Sequence, residues 1–401
     1  MIKRILYTLL IMFPVLASAQ INTDRVMAIG RNALYFEDYV LSIQYFNQVI
    51  NAKPYLSDPY FYRGLAKINL DDFQGAESDC SEAIERNPFV VSAYQVRGLA
   101  RIQQNNFAGA IEDYTKALEF DPENIGVWHN MALCRIRQED YKGAKNDLDK
   151  LIAISPRYTK AYLMRGEVDL KQKDTLAAEK DFGKAIEIDR YDADTWASRA
   201  ILRLQQQRYK DAEADFDHAI RLSTRNSGVY INRALARYHQ NNLRGAMSDY
   251  DIALDIDPNN FIGHYNRGLL RAQVGDDNRA IQDFNFVIEM EPDNMMAIFN
   301  RGLLLDQTGD YKGAIKDYST VINEYPNFLL GYQYRAQARR KIGDVKGADA
   351  DEFKVLKAQL DKQNGVDPNK QTADNTENNK TRKKSDKNMN NYRKIVVADN
   401  E

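Results

Sequence analysis

Arginine and aspartate recur in this chain at a fixed separation. Arg63, Arg97, Arg165, Arg199, Arg233, Arg267, Arg301 and Arg335 are followed, sixteen residues later, by Asp79, Asp113, Asp181, Asp215, Asp249, Asp283, Asp317 and Asp351. A row of guanidinium groups could bind an anionic polymer. Here every cation comes with its own acid, so the pattern reads instead as a repeated bridge between helices, with Arg97–Asp113, Arg233–Asp249, Arg267–Asp283 and Arg301–Asp317 as its expected members. Arginine rather than lysine at all eight places suits a planar group making two-pronged contact with a carboxylate. Four residues further on the chain is again mostly basic, at Lys67, Arg101, Arg135, Arg203, Arg237, Arg271 and Arg339.

Little else in the sequence proposes chemistry. His129, His218, His239 and His264 have no cysteine or carboxylate partners at ligand spacing, so no metal site is expected. No nucleophile elbow, phosphate loop or isolated carboxylate pair stands out, so neither a catalytic residue nor a cofactor is expected and the chain does not read as an enzyme. Cys80 and Cys134 stand two repeats apart and read as buried thiols rather than a disulfide. The series Tyr60, Tyr94, Trp128, Tyr162, Trp196, Tyr230 and Tyr332 could stack on carbohydrate, but one aromatic per repeat at helical spacing reads as core.

The elements that carry these residues repeat every 34 positions. Ala76, Ala110, Ala144, Ala178, Ala212, Ala246, Ala280, Ala314 and Ala348 keep that interval without a slip. Counting from Thr23, Ser57, Val91 and so on, each repeat predicts two helices, in the third about Ser92 to Gln104 and Ala108 to Phe120, with Asn105-Asn106 as the turn. Proline at 54, 88, 122, 156, 258, 292 and 326 ends one repeat and opens the next. Glycine or alanine at position eight, as Gly30, Gly64, Gly98 and Gly166, predicts a close backbone approach from the second helix.

With small residues at positions eight and twenty, alanine at twenty-seven (Ala83, Ala117, Ala185, Ala219, Ala253) and proline at thirty-two, the chain resembles tetratricopeptide (TPR) repeats. The resemblance implies an all-α fold, a right-handed TPR superhelix (α-solenoid) of about ten helix-turn-helix repeats. It also implies a concave groove, lined by the first helices, that binds peptides or protein segments. The arginine at seven and aspartate at twenty-three depart from the family pattern. The family's carboxylate clamp, lysine at five and asparagine at nine, is absent.

Residues 1–19 combine Lys3 and Arg4, an apolar run and Ala17-Ser18-Ala19, the pattern of a secretory signal peptide. Removing its two bases from the net charge of −2 leaves about −4, a balance that implies neither nucleic acid nor membrane. Residues 20–22 form a lead-in, 23–56 a divergent first repeat, 57–362 nine further repeats, and 363–401 a disordered Asn/Lys-rich tail with a strand-like end. The expected localisation is export, periplasmic or secreted, with no lipid anchor and no membrane span after cleavage.

The functional expectation rests on positions that vary. Asn232, Asn266 and Asn300 hold position six of three successive repeats; His239, Gln273 and Gln307 hold position thirteen; Tyr265 and Phe299 hold position five. Amides on a groove can hydrogen-bond an extended backbone. The chain is thus expected to be a non-catalytic scaffold for protein or peptide segments of the cell envelope. The alternative is the recruiting arm of a larger envelope enzyme or secretion machine.

Overall fold

The computed structural model describes residues 22–223, 225–364 and Met389. The signal-peptide pattern and all of the tail beyond 364 except Met389 lie outside these residues. Within them the secondary structure is twenty α-helices. The chain divides into two units between Asp189 and Arg190, where Arg190 stands in place of the junction proline.

The first unit holds α1 (Thr23–Tyr35), α2 (Tyr39–Ala52), α3 (Asp58–Ile68), α4 (Phe73–Arg86), α5 (Val91–Gln103), α6 (Phe107–Phe120), α7 (Ile125–Arg137), α8 (Tyr141–Ile154), α9 (Thr159–Lys171) and α10 (Thr175–Ile188). The second holds α11 (Ala193–Gln205), α12 (Tyr209–Leu222), α13 (Ser227–His239), α14 (Leu243–Ile256), α15 (Phe261–Gln273), α16 (Asp277–Met290), α17 (Met295–Thr308), α18 (Tyr311–Glu324), α19 (Leu329–Lys341) and α20 (Val345–Gln363). In each unit the helices pair as hairpins and consecutive hairpins pack on one another.

Local chemistry explains the hairpin. Position fifteen takes a left-handed backbone in every repeat: φ is +59° at Asn105, +60° at Glu139 and +65° at Lys173, and glycine holds the place at Gly275, Gly309 and Gly343. The next residue caps the second helix: Asp72, Asn106 and Asp140 accept from the amides of Gly75, Gly109 and Gly143 at 2.9–3.0 Å.

The glycine at position eight has a different partner from the one expected. A Cβ there would stand 2.7 Å from the Phe46 ring at Gly30, 2.7 Å from Tyr114 at Gly98 and 2.6 Å from Phe182 at Gly166. What needs the space is the large side chain at position twenty-four, seated flat on bare backbone, and these rings are at most 1% exposed. Cys80 fills the same slot against Gly64, and both cysteines are free and buried.

Candidate peptide-binding face

The arginines and aspartates meet. In the second unit Arg233 sets Nε and Nη2 against Asp249 at 3.0 and 2.6 Å. The same fork joins Arg97 to Asp113, Arg267 to Asp283 and Arg301 to Asp317, with closest approaches of 2.6, 2.7 and 2.7 Å. The aspartate side chains are 1–4% exposed and the arginines 12–22%. The basic residue at position eleven supplies a second cation, as Arg237 Nη1 does to Asp249 at 2.9 Å. The aromatic at position four lies beneath the fork: Arg97 over Tyr94, Arg199 over Trp196 and Arg233 over Tyr230, at 5.7, 5.1 and 5.5 Å. These aromatics belong to the network, and Tyr94 and Tyr230 are buried.

A third contact was not anticipated from the sequence. The remaining nitrogen of most forks reaches back to position twenty-five of the preceding repeat: Arg63 to Asn47 at 2.6 Å, Arg97 to Ser81 at 3.1 Å, Arg165 to Asp149 at 2.6 Å, Arg233 to Asp217 at 2.7 Å and Arg335 to Ser319 at 2.9 Å, whereas Gly183 offers Arg199 no side-chain acceptor. One guanidinium therefore ties two helices of its own hairpin and one of the hairpin before. The signal in the sequence was an acceptor side chain at twenty-five, visible only with the arginine's third donor in mind.

Binding to an anionic polymer would need guanidinium groups facing water. Two or three acceptors already surround each of these. Burial is outweighed by the hydrogen bonds that Arg233 donates to Asp249 and Asp217, which raise its pKa. At Asp283, burial pushes the carboxyl up, but hydrogen bonds from His264 and Arg267 outweigh it and hold the pKa below the usual carboxylate value.

The eight residues expected to face a ligand divide. Gln273 and Gln307 are exposed and line a cavity of about 440 Å³ in the second unit, with Tyr238, Leu269, Leu303 and Leu304. Tyr238 donates to Gln273 Oε1 at 2.8 Å. Asn300 is 5% exposed at the cavity floor, where its Nδ2 donates to the Met296 carbonyl at 2.9 Å and meets the Tyr265 hydroxyl at 3.4 Å. Asn232, Asn266 and Phe299 are fully buried and Tyr265 is 4% exposed, so their expected exposure is corrected. Positions five and six sit mid-helix, whereas position thirteen lies at or next to the last residue of the first helix. His239 is exposed but stacks on Tyr209 with ring centroids 4.5 Å apart, outside the cavity. Sequence reasoning missed Tyr238, Leu269 and Leu303 at positions twelve and nine, because apolar residues there looked like core. In the first unit the corresponding helix ends of α7 and α9 line a cavity of about 570 Å³ with His129, Leu133, Arg137 and Lys171.

Among the described residues no group of three or more His, Cys, Asp or Glu is placed to hold a metal ion. No helix there is long and apolar enough to cross a membrane.

Comparison with solved structures finds matches of low identity. A tetratricopeptide repeat protein from Parabacteroides merdae is 21% identical over 62% of this chain and 98% of its own, with a TM-score of 0.48. MamA from Desulfovibrio magneticus is 16% identical over 42% of this chain and 96% of its own, at 0.41. YrrB, described as a TPR protein with an unusual peptide-binding site, is 20% identical over 46% of this chain and 95% of its own, at 0.39. No curated protein sequence matches. A model described as TPR repeat matches residues 98–134, and models described as Tetratricopeptide repeat match 125–158, 159–192, 198–261 and 265–327. Together these cover more than half of the chain, with 125–158 and 159–192 coinciding with two of the 34-residue repeats, and the chain belongs to the tetratricopeptide repeat family.

Proposed function

We propose that this protein is an exported, non-catalytic scaffold that holds an extended segment of a partner protein against α13, α15 and α17. The observation that carries the reading is the cavity of about 440 Å³ beneath Tyr238, Gln273 and Gln307. Its floor of Leu269, Leu303 and Leu304 accepts an apolar side chain, while the two amides at the rim offer donors and acceptors to peptide backbone. Export is supported by the signal-peptide pattern of residues 1–19. The resemblance of this repeat type to protein-interaction scaffolds supports the class of partner.

The test is a peptide-display selection on the full chain, with a selected peptide titrated against the wild type and a Gln273→Ala, Gln307→Ala variant. Each lost amide contact is worth about 0.5–1.5 kcal/mol, so the pair should weaken binding about tenfold. Exposed substitutions of this kind leave stability within about ±0.5 kcal/mol. Equal affinity in both proteins refutes the assignment of this cavity.

A further inference from the structure

Met389 is far along the chain from the last helix, yet it is 2% exposed. It is buried in the cluster of Ile298, Phe299, Tyr318 and Phe328. It also lines a cavity of about 590 Å³ with Pro292, Met295, Met296 and Tyr325. The first two positions of the repeat are Ser57-Asp58, Thr159-Lys160, Ala193-Asp194 and Ser227-Gly228 in earlier repeats, and apolar at Phe261-Ile262, Met295-Met296 and Leu329-Leu330; only here are both methionine. Both methionines are half-buried. Beside them stand Glu291 and Asp293. Residues 380–394 carry seven bases and one acid, in a chain whose net charge is −2. An apolar anchor within a basic stretch thus matches an apolar mouth with an acidic rim.

We propose that Met389 is a built-in ligand of this end of the second unit, its side chain packed on Ile298, Phe299, Tyr318 and Phe328 beside the 291–296 mouth, and that the acidic rim of that mouth favours a segment as basic in sequence as this one. Met296 accepts the hydrogen bond from Asn300, which in turn floors the cavity assigned to the partner. Met389 therefore packs on the same helix, α17, that supplies Asn300, Leu303 and Leu304 to that cavity. On the reading given under Proposed function, a partner segment running past Asn300 competes with Met389 for this end of the face.

The docking is tested on the full chain without a partner, by exposure to dilute hydrogen peroxide and mass spectrometry of each methionine. Met389 should oxidise about tenfold more slowly than Met290, which is 52% exposed. Met389→Asp should keep the helical signal and expose Met295 and Met296 to oxidation about fivefold faster. Oxidation of Met389 at the rate of Met290 overturns the proposal, as does an unchanged rate at Met295 and Met296 in the variant. Protection that disappears on dilution also overturns it, because the occupant would then be a second copy. No peptide enters this assay, so its outcome is separate from that of the groove. Where a selected peptide does bind, tighter binding by Met389→Asp supports the competition and unchanged binding overturns it.

Discussion

The fourth repeat contains a natural deletion of the network. Met131 stands where an arginine is expected, and Asp147 is left with Arg135 at 2.7 Å from below. Burial pushes the Asp147 carboxyl up from 3.8 to about 6, with Arg135 opposing it incompletely. An acid whose pKa rises on folding favours the folded state when protonated. That contribution is complete below about 3.8 and lost as pH rises through about 6, so this region should gain stability as pH falls from 7 to 5. The rise corresponds to a ceiling of about 3 kcal/mol, and relaxation of the site reduces it to about 1–2. Met131→Arg should restore the fork, with Thr115 placed as Ser81 is for Arg97, where the contact is 3.1 Å. Met131 is 4% exposed in the cluster of Tyr94 and Tyr114, and the arginine stem retains much of that packing. We therefore expect a net gain of about 1 kcal/mol at pH 7 and a flat pH response. Amide hydrogen exchange of α8 at pH 7 and 5, corrected for intrinsic rates, reads this locally, because repeat arrays unfold in parts. Equal protection of the wild-type helix at both pH values, or an unchanged pH slope in the variant, refutes the reasoning.

Three further outcomes follow from other contacts. Arg97→Leu should destabilise the full chain by about 2–4 kcal/mol by leaving Asp113 with Arg101 alone, and a double-mutant cycle with Asp113→Asn should show coupling above about 1 kcal/mol by thermal or denaturant unfolding. Gly98→Ala should cost about 1–3 kcal/mol, since its Cβ would meet Tyr114 at 2.7 Å, whereas Gly98→Ala combined with Tyr114→Leu, which copies Ala132 over Leu148, should cost less than the sum. Glu139→Gly, at a φ of +60°, should raise stability by about 0.5–1 kcal/mol, and a fall in melting temperature would contradict the left-handed strain assigned there.

The sequence made the hairpins and their register legible because the signals were local: the cap at Asp72, the left-handed turn at Asn105 and the proline at 122 act within a few residues. The arginine to aspartate contact was legible because its sixteen-residue interval recurs. The site was less legible for a geometric reason. Asn266 and Gln273 lie seven residues apart and so share a nominal helical face, yet one is buried and the other exposed. Helical periodicity gives direction around the axis but not how deeply each turn is covered, and position six lies mid-helix while position thirteen lies at the helix end. Met389 could not be read at all, since nothing periodic surrounds it.

The remaining polar residues show how much of the surface chemistry the stacking consumes. Position twenty-one of one repeat meets position eleven of the next: Glu77 pairs with Arg101 at 2.8 Å, Glu213 with Arg237 at 2.8 Å, and Lys145 with Asp169 at 2.5 Å. The third pair reverses both charges and keeps the contact. A ligand surface would have no reason to exchange both signs together, whereas a contact between neighbouring repeats requires it. Positions seven, eleven, twenty-one, twenty-three and twenty-five are thereby accounted for by cohesion, and the aromatic at four supports the arginine at seven. What cohesion leaves unexplained is narrow: the exposed amides Gln273 and Gln307 over an apolar floor, and the methionine mouth at 295 and 296. Recognition in this chain is therefore to be sought where the network ends, at the tips of the first helices in the second unit.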